Sequence, residues 1–163
     1  FGQSRTGGLM ANNVQYVTLG IAGELLAIPV DRVREILELQ QISQLPGAPA
    51  ILLGMIDVRG QSVPVIDLRL KLGFIPREDD SGTRIMVISA PIGGRDALIG
   101  VKVDCVHEVS VLDSDTLEPP PEAAVEWRAE HIAGVGRRNG QFVTVLNFER
   151  VFGAEDISVF DMA

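Results

Sequence analysis

Along most of this chain apolar residues alternate with polar ones or run together in short bursts, and a helical spacing rarely lasts beyond one turn. Residues 14–21 and 25–30 read as two strands reversed at Ala22-Gly23-Glu24, a hairpin. Residues 31–39 fit two patterns. Val33, Ile36 and Leu37 have helical spacing, but the β-branched content favours a bend followed by a strand. Pro46-Gly47-Ala48-Pro49 breaks the chain, and residues 50–53 suit one helical turn with Pro49 at its first position. Residues 55–58 and 62–66 then read as strands around Arg59-Gly60-Gln61, and Asp67 is placed to cap a short helix over 68–72 that Gly73 ends. Residues 75–83 read as a polar linker. Strand patterns resume over 84–90, 97–103 and 106–112. Residues 122–131 suit a helix, and 155–163 a terminal tail or docking strand.

The same pattern is written twice. Leu26-Ala-Ile-Pro-Val-Asp-Arg-Val-Arg-Glu-Ile36 returns 73 positions later as Ile99-Gly-Val-Lys-Val-Asp-Cys-Val-His-Glu-Val109. Gly54, Gly60, Gln61, Val63, Val65, Asp67, Leu68, Leu72 and Gly73 return 80 positions later as Gly134, Gly140, Gln141, Val143, Val145, Asn147, Phe148, Phe152 and Gly153. The extra residues of the second copy fall around Pro119-Pro120-Pro121. Each copy must bury an apolar face against something, so the duplication predicts two small β barrels packed side by side, related by a pseudo-two-fold axis.

Composition narrows the function more than the fold. A chain of 163 residues with 46% hydrophobic content supports a sizeable core. The net charge of −8 and pI near 4.7 argue against nucleic acid as the main partner. No apolar run approaches a bilayer span. A lone cysteine fits a reducing cytoplasm. The Gly-rich opening before Met10 reads as a foreign leader, with the native start at Met10.

Candidate chemistry is sparse. His107, His131 and Cys105 offer no zinc-ligand spacing, so no metal or cofactor is expected. Cys105 and His107, two apart in a strand, form the best enzyme-like pair, and a small Cys/His hydrolase is the remote alternative. The reading preferred for Cys105 is a buried, unreactive residue continuing the stripe of Ile99, Val101 and Val103. The Gly93-Gly94 and Gly134-Val135-Gly136 runs lack the lysine of a phosphate loop and read as hairpin turns. Two features ask for more than structure. Arg59 in its tight turn suits an exposed anchor, arginine being enriched at interface hot spots. Glu35, beside Val33 and Ile36, suits the rim of an apolar binding patch.

The segment Gly54-Met-Ile-Asp-Val-Arg-Gly-Gln-Ser-Val-Pro-Val-Ile-Asp-Leu-Arg69 resembles the signature of the CheW-like chemotaxis coupling proteins. Residues 28–36, 98–109 and 134–152 match in order, so the resemblance spans about 14–152. It implies an all-β fold of two SH3-like five-stranded barrels with short helices. It also implies a non-enzymatic cytoplasmic adaptor, recruited to membrane receptor arrays without inserting in the bilayer, between a CheA-type histidine kinase and the cytoplasmic tip of a chemoreceptor. By that resemblance Val33, Glu35, Ile36 and Arg59 match receptor-contact positions, and Gly54 and Asp57 match a region linked to kinase docking. The expected organisation is a flexible stretch over 1–13, one domain over 14–153 (subdomains about 14–76 and 84–153), and a tail over 154–163. The alternative within the fold is the regulatory domain of a CheA-like kinase or of a CheV-like adaptor. A start at Met10 and an end soon after Phe152 favour the stand-alone form.

Overall fold

The computed structural model describes residues 14–92, 94–114, 116–119 and 131–151. Its elements, in chain order, are β1 (Gln15–Ile21), β2 (Glu24–Pro29), a 3-10 turn (Val30–Arg32), β3 (Val33–Glu38), β4 (Leu52–Val58), β5 (Gln61–Asp67) and α1 (Leu68–Lys71). After these come β6 (Arg84–Ile92), β7 (Arg95–Val103), β8 (Cys105–Val111), β9 (Ile132–Arg138), β10 (Gln141–Leu146) and α2 (Phe148–Val151). The ten strands form two curled five-stranded sheets, β8-β1-β2-β10-β9 and β3-β6-β7-β5-β4.

The duplication reappears in the register. Val65 pairs with Gly100 in the parallel β5–β7 contact, and their repeat counterparts Val145 and Ala27 pair in the parallel β10–β2 contact. Val33 pairs with Ile88 and Ile36 with Met86; in the other sheet Val106 pairs with Leu19 and Val109 with Val17. Even the bulges coincide, between Leu52 and Gly54 in one sheet and at Val145/Leu146 in the other. The sheets are thus equivalent under exchange of the two copies.

They do not follow the expected division near residues 76–84. The β1–β2 hairpin joins β8, β9 and β10, while β6 and β7 join β3, β4 and β5. The physical reason lies in the crossovers. Asp31 and Asp104 interrupt the chain between β2 and β3 and between β7 and β8, and at each of them it passes from one sheet to the other. Each sequence half therefore completes the sheet of the other.

This exchange explains the unbroken apolar runs. In β2, Leu25 and Ala27 belong to the interior of one barrel, while Leu26 and Ile28 face the core shared by both sheets. In β6, Ile85 fills the other barrel and Met86 and Ile88 face the shared core. A strand buried on both faces needs no polar alternation. The shared core takes Val17, Leu19 and Ile21 from one sheet and Ile66, Ile99, Val101 and Val103 from the other, so the two barrels pack as one body.

Several local expectations change. Only Ala50 and Ile51 of the expected helical turn form a turn, closed by Leu52 N–H donating to the Pro49 carbonyl, and the strand begins at Leu52 because Leu52 pairs with Ile66 in the core. Gly134 and Gly136 lie inside β9, not in a turn. Leu117 and Leu112 occupy the space that their side chains would need, with closest approaches of 2.7 Å to an added Cβ. Cys105 is half-buried. The apolar alternation ends at Val103 because the chain changes sheet at Asp104, so Cys105 opens a new strand over Gly20. Asp67 caps α1 through Arg69 N–H as expected. The helix read over 122–131 falls, apart from His131, outside the described residues, as does the terminal tail.

After β3 the chain returns along β4, where Ser43 and Met55 exchange backbone hydrogen bonds of 2.9 and 2.8 Å. Gly54 makes this approach possible: its φ is +144°, and a Cβ there would lie 2.1 Å from the Ser43 carbonyl oxygen. Gly54→Ala is therefore expected to destabilise the fold by about 3 kcal/mol or more, since the obstacle is backbone. Gly60→Ala, in open space at positive φ, should cost only about 1 kcal/mol. Urea denaturation of the two variants checks the contrast, and equal midpoints would remove the packing reason for Gly54.

Candidate functional site

The β4–β5 hairpin turns on Arg59 and Gly60, both at positive φ (54° and 83°), the geometry of a two-residue type I′ turn. Asp57 accepts the Gly60 N–H at 2.7 Å and so holds the turn. The Arg59 guanidinium reaches the β3 edge strand, where Nη2 lies 3.3 Å from Glu35 Oε1. Arg59 keeps 81% of its side chain in solvent, against 24% for Glu35. The next residue, Ile36, is 44% exposed, a large apolar side chain on an open edge.

Of the receptor-contact candidates, the fold brings Glu35 and Arg59 into an ion pair and leaves Ile36, the next residue in β3, exposed. Strand alternation points Ile36 to the opposite face of β3 from Glu35. Val33 is half-buried against the shared core. Of the kinase-docking candidates, Gly54 is buried and spaces the backbone, while Asp57 is exposed but engaged with its own turn.

Arg59 is an odd choice for its position. The equivalent turn of β9–β10 uses Asn139 and Gly140, with φ values of 52° and 81°. Asparagine tolerates the left-handed region and arginine does not favour it, a difference of about 1 kcal/mol. The ion pair with Glu35 is too exposed to offset that strain by much.

The second copy repeats the motif. Glu108, the counterpart of Glu35, pairs with Arg138 on the β9–β10 hairpin, and Val109, the counterpart of Ile36, is 49% exposed. Here the turn is held from across the barrel, because Asp113 accepts the N–H groups of Asn139 and Gly140 at 2.8 and 2.9 Å. Those bonds, with the Gly140 amide contributing most, hold the Asp113 carboxyl below the usual aspartate pKa.

One junction escaped the sequence. Asp104 accepts Arg69 Nη1 at 2.5 Å and the Ala22 N–H at 2.8 Å and pairs with Arg77 at 3.1 Å, while Arg69 Nε donates to the Ile75 carbonyl. It ties α1, the β1–β2 turn and the linker together, and Lys102 anchors Asp79 nearby at 2.7 Å. The repetition of Val-Asp in both copies was the available signal, but Arg69 has Glu149 as its counterpart, so the repeat gave no pair to expect. Cys105 Sγ lies 3.7 Å from His107 Nε2, with the histidine exposed. Among the described residues no three His, Cys, Asp or Glu side chains gather as a metal site.

Comparisons with known proteins bear on the family and the fold. Residues 15–156 match the family model described as the CheW-like domain. The chemotaxis protein CheW of Klebsiella aerogenes is 26% identical over 147 residues, covering 90% of this chain and 86% of that one. Protein FrzA of Myxococcus xanthus is 30% identical over 129 residues, with 77% of each chain covered. The crystal structure of the scaffolding protein TtCheW from Thermoanaerobacter tengcongensis superposes with a TM-score of 0.74 at 27% identity, covering 86% of this chain and 88% of that one.

The Asp113 bonds make the second turn sensitive to acid. A carboxylate with a lowered pKa contributes its full stabilisation above the unfolded value, about 3.9, and loses it as pH falls through the folded one. Amide-exchange protection of Asn139 and Gly140 should therefore be flat from neutral pH down to about 4 and fall below it. Asp113→Asn should abolish that pH dependence. A protection profile identical in the two proteins would show that Asp113 does not hold the turn.

Proposed function

The chain belongs to the CheW-like domain family, and from that membership and the geometry of the β3–β4–β5 edge we propose that it works as a non-enzymatic adaptor joining a chemoreceptor tip to a CheA-type histidine kinase. The receptor contact is assigned to Glu35, Ile36 and Arg59, with Val33 supporting the strand from the core side. The observation that carries the site is Arg59 itself: a strained, solvent-facing arginine paired with a carboxylate on an edge strand whose other face carries an exposed isoleucine. An arginine that spans an ion pair and still offers most of its guanidinium outward can bind a partner's carboxylate or amide, while Ile36 supplies apolar surface to desolvate. Work of this kind needs rigid edges and no reactive cleft. Among the described residues no helix is long and apolar enough to cross a membrane, and the proposed place of action is the cytoplasmic face of a receptor array.

Arg59→Ala should change stability by no more than about 0.5 kcal/mol. It should weaken receptor-tip binding by about 2 kcal/mol, roughly thirtyfold. Ile36→Asp should weaken the same contact. Titrating receptor-tip fragment and kinase regulatory domain separately decides the matter: wild-type affinity of Arg59→Ala for both partners would remove Arg59 from the interface. The thiol offers an independent check of the adaptor reading. Cys105→Ser should leave both affinities unchanged, and Cys105 should alkylate no faster than an ordinary half-exposed thiol. Thiolate-like labelling at neutral pH would instead favour the Cys/His chemistry.

A further inference from the structure

Asn139 and Gly140 form the only Asn-Gly step in this chain. Asparagine is chemically labile, and most so before glycine, where no side chain hinders attack of the following backbone nitrogen on the amide. The step is exposed at the turn of β9–β10, with both residues at positive φ. A Cβ added at Gly140 would meet nothing within 4 Å, so packing does not shield it. What engages both amides is a carboxylate from outside the hairpin. Asp113 Oδ1 accepts the Asn139 N–H at 2.8 Å, and Oδ2 accepts the Gly140 N–H at 2.9 Å. Asp113 is itself fixed to β9, its own N–H donating to the Arg137 carbonyl at 2.7 Å. The equivalent turn of β4–β5 has arginine in place of the asparagine, so it has no amide to lose.

We propose that Asn139 is a site of spontaneous deamidation and that Asp113 is its guard, so that the second hairpin carries a slow chemical switch that the first lacks. In the unguarded reaction the Gly140 nitrogen attacks Asn139 Cγ. The new N–C bond closes a succinimide, and Nδ2 leaves as ammonia, taking the proton that the Gly140 nitrogen gives up. Water then opens the ring to aspartate or isoaspartate, and no other reactant is needed. The Asp113 carboxylate opposes the first step in two ways. A negative charge beside the Gly140 N–H disfavours loss of its proton, and the pair of bonds keeps that nitrogen directed at Asp113 and away from the amide. Once residue 139 is an aspartate, two like charges share the turn and weaken the bonds that hold it. An isoaspartate also inserts an extra backbone carbon into a two-residue turn whose geometry is set by the flanking strands.

The test is peptide mapping by mass spectrometry on the full chain, following conversion at residue 139 during incubation in mildly alkaline buffer. Conversion should run about tenfold faster in denaturing urea than in the folded wild type, and about tenfold faster in Asp113→Ala, shown folded by circular dichroism, than in wild type. Asn139→Asp, which has the charge of the deamidated chain, should lose amide-exchange protection at Gly140 while the interior of β9 and β10 keeps its own. Equal rates in folded and denatured wild type would overturn the proposal, whatever the variant does. A slower rate in Asp113→Ala would also overturn it, because Asp113 would then be the base that drives the reaction. Wild-type protection of Gly140 in Asn139→Asp would show that the new charge moves nothing, and would remove the switch.

Discussion

Two parallel strand contacts, β5 with β7 and β10 with β2, hold this molecule together, and almost every other feature depends on them. Neither half of the sequence owns five strands that close a barrel, so each lends its first hairpin to the other. A parallel contact needs a long connection: α1, the linker and β6 supply it between β5 and β7, and the chain from β3 to β9 supplies it between β2 and β10. Gly100 shows how tightly the arrangement is packed: a Cβ there would meet Ile85 and Val65 at 3.1 Å. The shared core follows as the only place where strands buried on both faces can put their second apolar side.

Such a construction suits a scaffold. Because the hairpins are exchanged, the two halves of the sequence cannot separate without breaking strand pairing, and the shared core packs the two sheets as one body. The Asp104 junction reinforces one crossover by binding two arginines and a backbone amide, whereas the Asp31 crossover has an exposed carboxylate and no matching cluster among the described residues. A largely enclosed aspartate with this many donors offsets much of its desolvation through geometry, and it pins down the linker that the sequence presented as solvated polar chain.

The hairpin tips are where the two copies differ. Duplicated turns with the same backbone offer a direct comparison of what the fold requires and what it tolerates. Glycine at the second turn position is kept in both because φ is positive. Asparagine at the first position is the relaxed choice, and arginine is the strained one. The ion pairs Glu35–Arg59 and Glu108–Arg138 show the same edge-to-turn connection made with different partner positions, so the connection itself, not one residue pair, is what the duplication preserved.

The sequence by itself determined the duplication and most of the strands and turns, the run Gly134-Val135-Gly136 inside β9 being an exception, because alternation, Gly-containing turns and repeated register are local and survive without knowledge of neighbours. It also pointed to Arg59 and Glu35, since a charged residue at a fixed turn position and one repeated beside apolar neighbours leave a mark in the pattern. Only the tertiary structure decided which strands share a sheet, because hairpin exchange leaves every local pattern unchanged and alters only long-range partners. For the same reason it alone showed that Gly54 spaces a backbone contact with Ser43, that Asp104 gathers Arg69 and Arg77, and that Cys105 falls outside the apolar stripe where the chain changes sheet. Pairing with β6 bears out the bend and strand that the β-branched content of residues 31–39 favoured, and so puts Ile36 on the other face of its strand from Glu35.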